Sequence, residues 1–200
     1  MKTLMLTGFE PFLEFPINPT FEIVNELNGE KIGNYHVTGK VLPVDFEQTG
    51  IRARQYFDEV SPDVVISLGL AAGRNRITPE RIAINCSDGP KDNRGVSPED
   101  QPIVEDGQDG YFTTLPIRKF VQVLEENGYP AEISNTAGTY LCNNVMYNVL
   151  HKISSENKNC RAGFIHMPAS HQLALKTPNL PSWSQKDLVE SIRLIISSLD

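Results

Sequence analysis

Cys142 stands where a helix begins, and a thiol in that position could attack a carbonyl. The stretch 134–143, SNTAGTYLCN, reads as a short extended run, a turn of small residues and a first helical turn. Residues 142–155 then put Val145, Val149, Leu150 and Ile153 on one face at helical spacing. The positive end of a helix dipole favours thiolate over thiol, and the thiolate is the attacking form. His166 follows 24 residues later, at the end of the apolar run in FIHMP, as a candidate base. Glu80, within GLAAGRNRITPERIAIN at 69–85, is a carboxylate that would hold the imidazole in the productive tautomer.

Each of these residues also has a plainer reading. A free cysteine is a small buried hydrophobe as readily as a nucleophile. His166, between Ile165 and Met167, reads equally as a satisfied core histidine, and Glu80 as a surface ion pair with Arg81 or Arg76. Cys86 and Cys160 read as structural, and His36, His151 and His171 have no comparable setting. The glycines of GLAAGR lack the spacing and the Lys-Ser/Thr of a phosphate loop, which sets nucleotide binding aside.

The elements that must position these groups alternate along the chain. Residues 2–7 form an apolar strand that breaks at Gly8, and 20–28 a helix. Val37–Leu42 is a strand stopped by Pro43, with Asp45 as N-cap of a helix through Val60. DVVISLG (63–69) is a continuous apolar run of the kind buried central strands show. An antiparallel strand or hairpin is expected within 77–86, and a long polar loop over 87–112. Thr114 and Pro116 open a helix to Gly128, Ala131–Ser134 and Ala162–His166 are strands, and Ser184 with Asp187 forms a capping box for a helix over 185–198. The alternation predicts an α/β fold, a single-domain three-layer αβα sandwich around a twisted, mostly parallel sheet. Such sheets carry their sites at the C-terminal ends of strands, where His166 falls.

Composition narrows the partners. The chain has 200 residues, enough for one well-buried core, so 1–200 is read as a single catalytic domain. A net charge of −7 argues against nucleic acid or an anionic membrane as the main partner, since phosphate binding needs a basic face. MKTLMLTG is too short in its apolar part for a leader, and no segment approaches a bilayer span. Three cysteines without metal-like spacing point to a reducing cytosol, hence a cytoplasmic location.

Two motifs carry a specific resemblance. One comprises Gly69, Ala72, Ile77, Thr78, Glu80, Arg81, Ala83 and Asn85; the other comprises Ser134, Thr136, Ala137, Gly138, Tyr140, Leu141, Cys142 and Asn143. With TGFEPF at 7–12 and FIHMP at 164–168, the chain resembles the pyroglutamyl peptidase I family of cysteine peptidases along nearly its whole length. The resemblance implies Cys142 as nucleophile, His166 as general base and acid, and Glu80 as orienting carboxylate. It also implies peptides with an N-terminal pyroglutamate as substrates, no metal or other cofactor, and a homo-oligomer, tetramer or dimer.

A pyroglutamyl ring is a small neutral lactam, best held by apolar walls and one or two amide partners. By resemblance, Phe9, Phe12 and Tyr140 would line its pocket, with backbone groups near Val44 and Leu70 as lactam partners and the Cys142 backbone N–H as oxyanion donor. The chain departs from the family pattern in four places. Leu13 and Glu14 stand where paired glycines are usual, and Leu70 where glutamine is common. The loop CSDGPKDN is one residue short and lacks an arginine, leaving Lys91 as a weak or absent helper, and MPASHQ lacks an aromatic after the proline. All four spare the triad, so they bear on rate and specificity. Alternatives in keeping with them are a related lactam or amide hydrolase and a catalytically weak pyroglutamyl-binding homologue.

Overall fold

Strands buried on both faces read as near-continuous apolar runs, and three segments of this chain supply them. In a computed structural model, which describes residues 1–12 and 15–199, these become β1 (Lys2–Phe9), β4 (Val64–Leu70) and β8 (Arg161–Met167). The remaining elements in chain order are α1 (Pro19–Leu27), β2 (Lys31–Ile32), β3 (Tyr35–Leu42), α2 (Thr49–Val60), β5 (Thr78–Pro79), β6 (Ile82–Ile84), β7 (Gly110–Phe112), α3 (Ile117–Glu126), α4 (Leu141–Ser155), β9 (Ala169–Ser170), α5 (His171–Ala174), β10 (Ser182–Trp183) and α6 (Gln185–Ser197). The main sheet has the order β2-β3-β1-β4-β8-β5. Its four inner strands are parallel, and β2 and β5 add antiparallel edges.

Alternation along each strand divides the core into two layers. Leu4, Leu6, Ile66, Leu68, Ile165 and Met167 face α1, α3 and α6. Met5, Val65, Ala162 and Phe164 face α2 and α4. This is the three-layer α/β sandwich that the alternation predicts. Parity decides the chemistry as well: His166 shares the face of Ala162 and Phe164, the side on which α4 lies.

Several expectations are met in detail. Ser184 caps α6, its Oγ accepting from the Asp187 N–H at 3.1 Å and donating to the Asp187 carboxylate at 2.7 Å. Gly128 follows α3 at φ +82°, a left-handed conformation suited to glycine. The antiparallel segments expected within 77–86 are β5, paired with β8, and β6, paired with β7.

Three expectations need correction. Residues 131–134 form no continuous strand; Ala131 and Ser134 make isolated bridges to Ile77 and Glu80. A continuous parallel ladder would require residue 79 to donate to Glu132, and Pro79 has no N–H. Asp45 caps a turn rather than α2 itself: its Oδ1 accepts from the N–H groups of Glu47 and Gln48, and the helix begins at Thr49. The polar stretch 87–112 ends in β7 and is stitched to the body by Asp92, whose carboxylate accepts from the N–H groups of Phe46, Arg94 and Val96. The departure at Leu13 and Glu14 lies outside the described residues.

Candidate active site

Tyr140 is the N-cap of α4 and offers no side-chain cap, so the first-turn N–H groups are not closed off by their own helix. Cys142 is the second residue of that turn. The turn is fixed from outside by Asn143, whose Oδ1 accepts from Ile84 N–H at 2.9 Å and whose Nδ2 donates to the carbonyls of Ile84 and Cys86. The helix mouth is thereby clamped to β6. The Cys142 sulfur packs against Gly69 of β4 so closely that a methyl group there would come within 2.7 Å of it. Gly69 is in turn the parallel-register partner of His166 in β8.

His166 is 6% exposed, and its Nδ1 lies 2.6 Å from Oε1 of Glu80, which is wholly buried. A carboxylate accepts only, so Nδ1 carries a proton, and in the neutral imidazole Nε2 is the acceptor. The Phe164 ring, 5.0 Å away and tilted, backs the imidazole. Glu80 also accepts from Arg74 Nη1 at 2.8 Å, and that nitrogen donates to Thr78 Oγ1 at 2.5 Å. The ion pair anticipated with Arg81 or Arg76 is therefore made by Arg74. Arg81 turns instead to Asn135, and Arg76 stands 3.9 Å from Glu132.

A small pocket opens at the sulfur, lined by Phe9, Phe12, Asn18, Val44, Leu70, Tyr140, Leu141 and Cys142. Its cavity volume is about 20 Å³, room for about one water, so a ring entering it must push the walls apart. A wider groove of about 560 Å³ beside Tyr111, Phe112 and the end of α4 has no cysteine among its described lining residues. All five pocket residues anticipated from the sequence line the cleft. The Val44 N–H donates to Glu10 Oε1 and its carbonyl accepts from the Asn93 N–H.

Asn18 and Arg74 escaped the sequence reading. Asn18 is buried, its Oδ1 accepting from Thr20 N–H and its Nδ2 donating to the Glu10 carbonyl. Its place before Pro19 marks it as a helix cap, and that role hides its second one as pocket wall. The one available signal for Arg74 was that a buried Glu80 needs a cation.

Lys91 is exposed, and its carbonyl accepts from the Tyr140 hydroxyl at 3.3 Å. Phe46 meets the Tyr140 ring edge-on at 5.0 Å. The Tyr140 phenol is pushed up to about 12 by burial first, then by Asp92 and Cys142, and so remains a donor.

The electrostatics of Cys142 overturn one expectation. The residue is only partly buried, but its sulfur is enclosed, and the thiol is pushed up to about 12. Burial is the main cause and the Glu80 charge adds to it, while Arg74 and the backbone N–H of Cys142 pull the other way. A rise of that size corresponds to several kcal/mol, against roughly 0.3–1 kcal/mol for a helix terminus. Desolvation wins, and the resting sulfur is a thiol.

The arrangement thus places a thiol, an imidazole hydrogen-bonded to a buried carboxylate, and an aromatic pocket in one region of the fold. A family model described as pyroglutamyl peptidase matches residues 1–199. The pyrrolidone-carboxylate peptidase of Oceanobacillus iheyensis is 58% identical over 200 residues, all of both chains. That of Halalkalibacterium halodurans is 51% identical over 199 residues, 98% of each chain. Among solved structures, the pyrrolidone carboxyl peptidase of Thermococcus litoralis has a TM-score of 0.94 at 40% identity, covering 100% of this chain and 93% of its own. A mutant pyrrolidone carboxyl peptidase from Pyrococcus furiosus gives 0.95 at 41% identity, covering 98% and 97%.

Proposed function

This chain belongs to the pyroglutamyl peptidase family, and from that premise we propose that it removes N-terminal pyroglutamate from peptides with a Cys142–His166–Glu80 triad. The observation that carries the reading is a conjunction. Cys142 lines the same aromatic pocket as Phe9 and Phe12, while Glu80 holds His166 on the strand beside it.

The chemistry follows from the groups present. The lactam ring enters between Phe9, Phe12 and Tyr140, with backbone groups near Leu70 as its amide partners. Because the resting sulfur is a thiol, His166 Nε2 takes its proton as the sulfur attacks the scissile carbonyl, rather than beforehand. Glu80 stabilises the resulting imidazolium, and the Cys142 N–H donates to the oxyanion. The imidazolium then protonates the departing amine, leaving a thioester. Water activated by His166 hydrolyses this ester and frees the acid. No cofactor enters these steps, and residues 1–200 act as one catalytic domain. A homo-oligomer is part of the reading through the family alone.

The direct test is turnover of a chromogenic pyroglutamyl amide beside its glutaminyl counterpart. Cleavage of the first and rejection of the second is expected. A free ammonium would enter a pocket with no carboxylate among its described lining residues, and burying an unpaired charge costs several kcal/mol. Equal cleavage of the two amides would overturn the specificity.

Phe12→Ala should raise KM with little change in kcat, since the ring contact is made in ground and transition states alike. A fall confined to kcat would mean that Phe12 acts on the chemical step. Lys91→Ala should change kcat less than about twofold, because Lys91 joins the site through its main-chain carbonyl. Losing an oxyanion donor costs about 2.7–4 kcal/mol, so a hundredfold drop at constant KM would reveal a recruited ammonium.

A further inference from the structure

Glu80 carries an imbalance that the triad alone does not explain. Its Oε1 receives both His166 Nδ1 and Arg74 Nη1, while its buried Oε2 has no hydrogen-bond partner among the described residues. A triad of this kind needs one donor on the carboxylate, and the second is a permanent cation. The guanidinium is about a third exposed and is aimed by the turn after β4, where Arg74 N–H donates to the Ala71 carbonyl. Its second contact, Thr78 Oγ1, belongs to the residue paired with His166 across β5 and β8. Arg74 therefore ties the carboxylate to the strand pair that carries the imidazole.

The charges around the sulfur make this placement meaningful. The ionisable groups around Cys142 are Tyr140 at the helix cap, Glu80 beside β5 and Arg74 on the turn between β4 and β5, with His166 on β8 in register with Gly69. Gly69 on β4 brings no charge. A buried carboxylate near a thiol suppresses the thiolate, so the group that orients His166 also works against the nucleophile. Arg74 is the group whose fixed positive charge opposes it.

We infer that Arg74 is a positioning residue for the reaction: its guanidinium holds Glu80 toward His166 and opposes, at the Cys142 sulfur, the negative charge that this orientation requires. The inference rests on the triad reading and deepens it. Arg74 lines no wall of the substrate pocket, so its effect belongs to the chemical step.

The test compares Arg74→Met and Arg74→Lys with the unsubstituted enzyme. Two quantities are measured: kcat and KM on a pyroglutamyl amide, and the rate of Cys142 alkylation by iodoacetamide across pH 7–9.5, read by peptide mass. Arg74→Met should lose roughly ten- to a hundredfold in kcat with KM within about twofold. Its Cys142 alkylation should be severalfold slower at each pH, because the charge that pulls the thiol down is gone. Arg74→Lys should restore the alkylation rate and much of kcat, because the charge returns without the planar fork.

Unchanged kcat and alkylation in Arg74→Met would overturn the inference. So would equal impairment of both variants with unmoved alkylation, the mark of a merely structural role. Should Arg74→Met fail to fold, Arg74→Gln carries the same comparison. Cys142→Ala and His166→Ala run alongside separate the two levels. If either is active, the triad and the role of Arg74 fall together. If both are dead and Arg74→Met is normal, only Arg74 is withdrawn.

Discussion

Cys142→Ala should reduce pyroglutamyl amide turnover to background while leaving the fold intact. The change removes a single sulfur atom, and α4 is held by the apolar face that includes Val145, Val149 and Ile153. Nothing else at the pocket can form the thioester: Cys86 and Cys160 are absent from its walls. Cys86→Ser and Cys160→Ser should accordingly keep most activity. In a comparable hydrolase, loss of the nucleophile costs about 10⁶ in kcat. Substantial turnover by Cys142→Ala, measured with protein free of wild-type carry-over, would end the mechanism.

His166→Ala should be nearly as damaging, and the state of the thiol explains why. A sulfur pushed up to about 12 supplies almost no thiolate at neutral pH unless a base removes its proton during attack. The loss should therefore shrink as pH rises toward the alkaline limit of the fold, where hydroxide does part of the work. Glu80→Gln leaves nucleophile and base in place and should cost on the order of ten- to a thousandfold. Rate–pH profiles of the two variants decide the matter. A His166→Ala enzyme with a flat, wild-type rate would move the base elsewhere, and wild-type kinetics for Glu80→Gln across pH would do the same for the orienting group.

The parts of this molecule that were legible in the sequence are those written in periodicity and end signals. β1, β4 and β8 read as apolar runs because helices cover both of their faces, and α6 announced itself through Ser184 and Asp187. The two-residue strands β9 and β10 and the four-residue helix α5 were not legible, since elements so short contain no period. The interrupted pairing at 131–134 depends on a donor missing from Pro79, a residue far away in the chain. Cys142, His166 and Glu80 could be singled out by residue type and motif. The partner of Glu80 could not, because it depends on where the turn 71–74 aims Arg74. The dipole at the start of α4 was visible in the sequence, but the desolvation that outweighs it belongs to the packed structure.

The place of β8 between β4 and β5 has a consequence for how the chain comes to life. His166 and Glu80 lie 86 residues apart, and their contact exists only once β8 has entered the gap left by two strands made long before it. A chain growing from its N-terminus carries its carboxylate, and then its thiol, while the base still has no strand to occupy. Pairing across such separations is among the slower events in folding. On the proposed mechanism, the half-made protein is chemically silent toward the peptides around it, and closing the sheet is what switches it on.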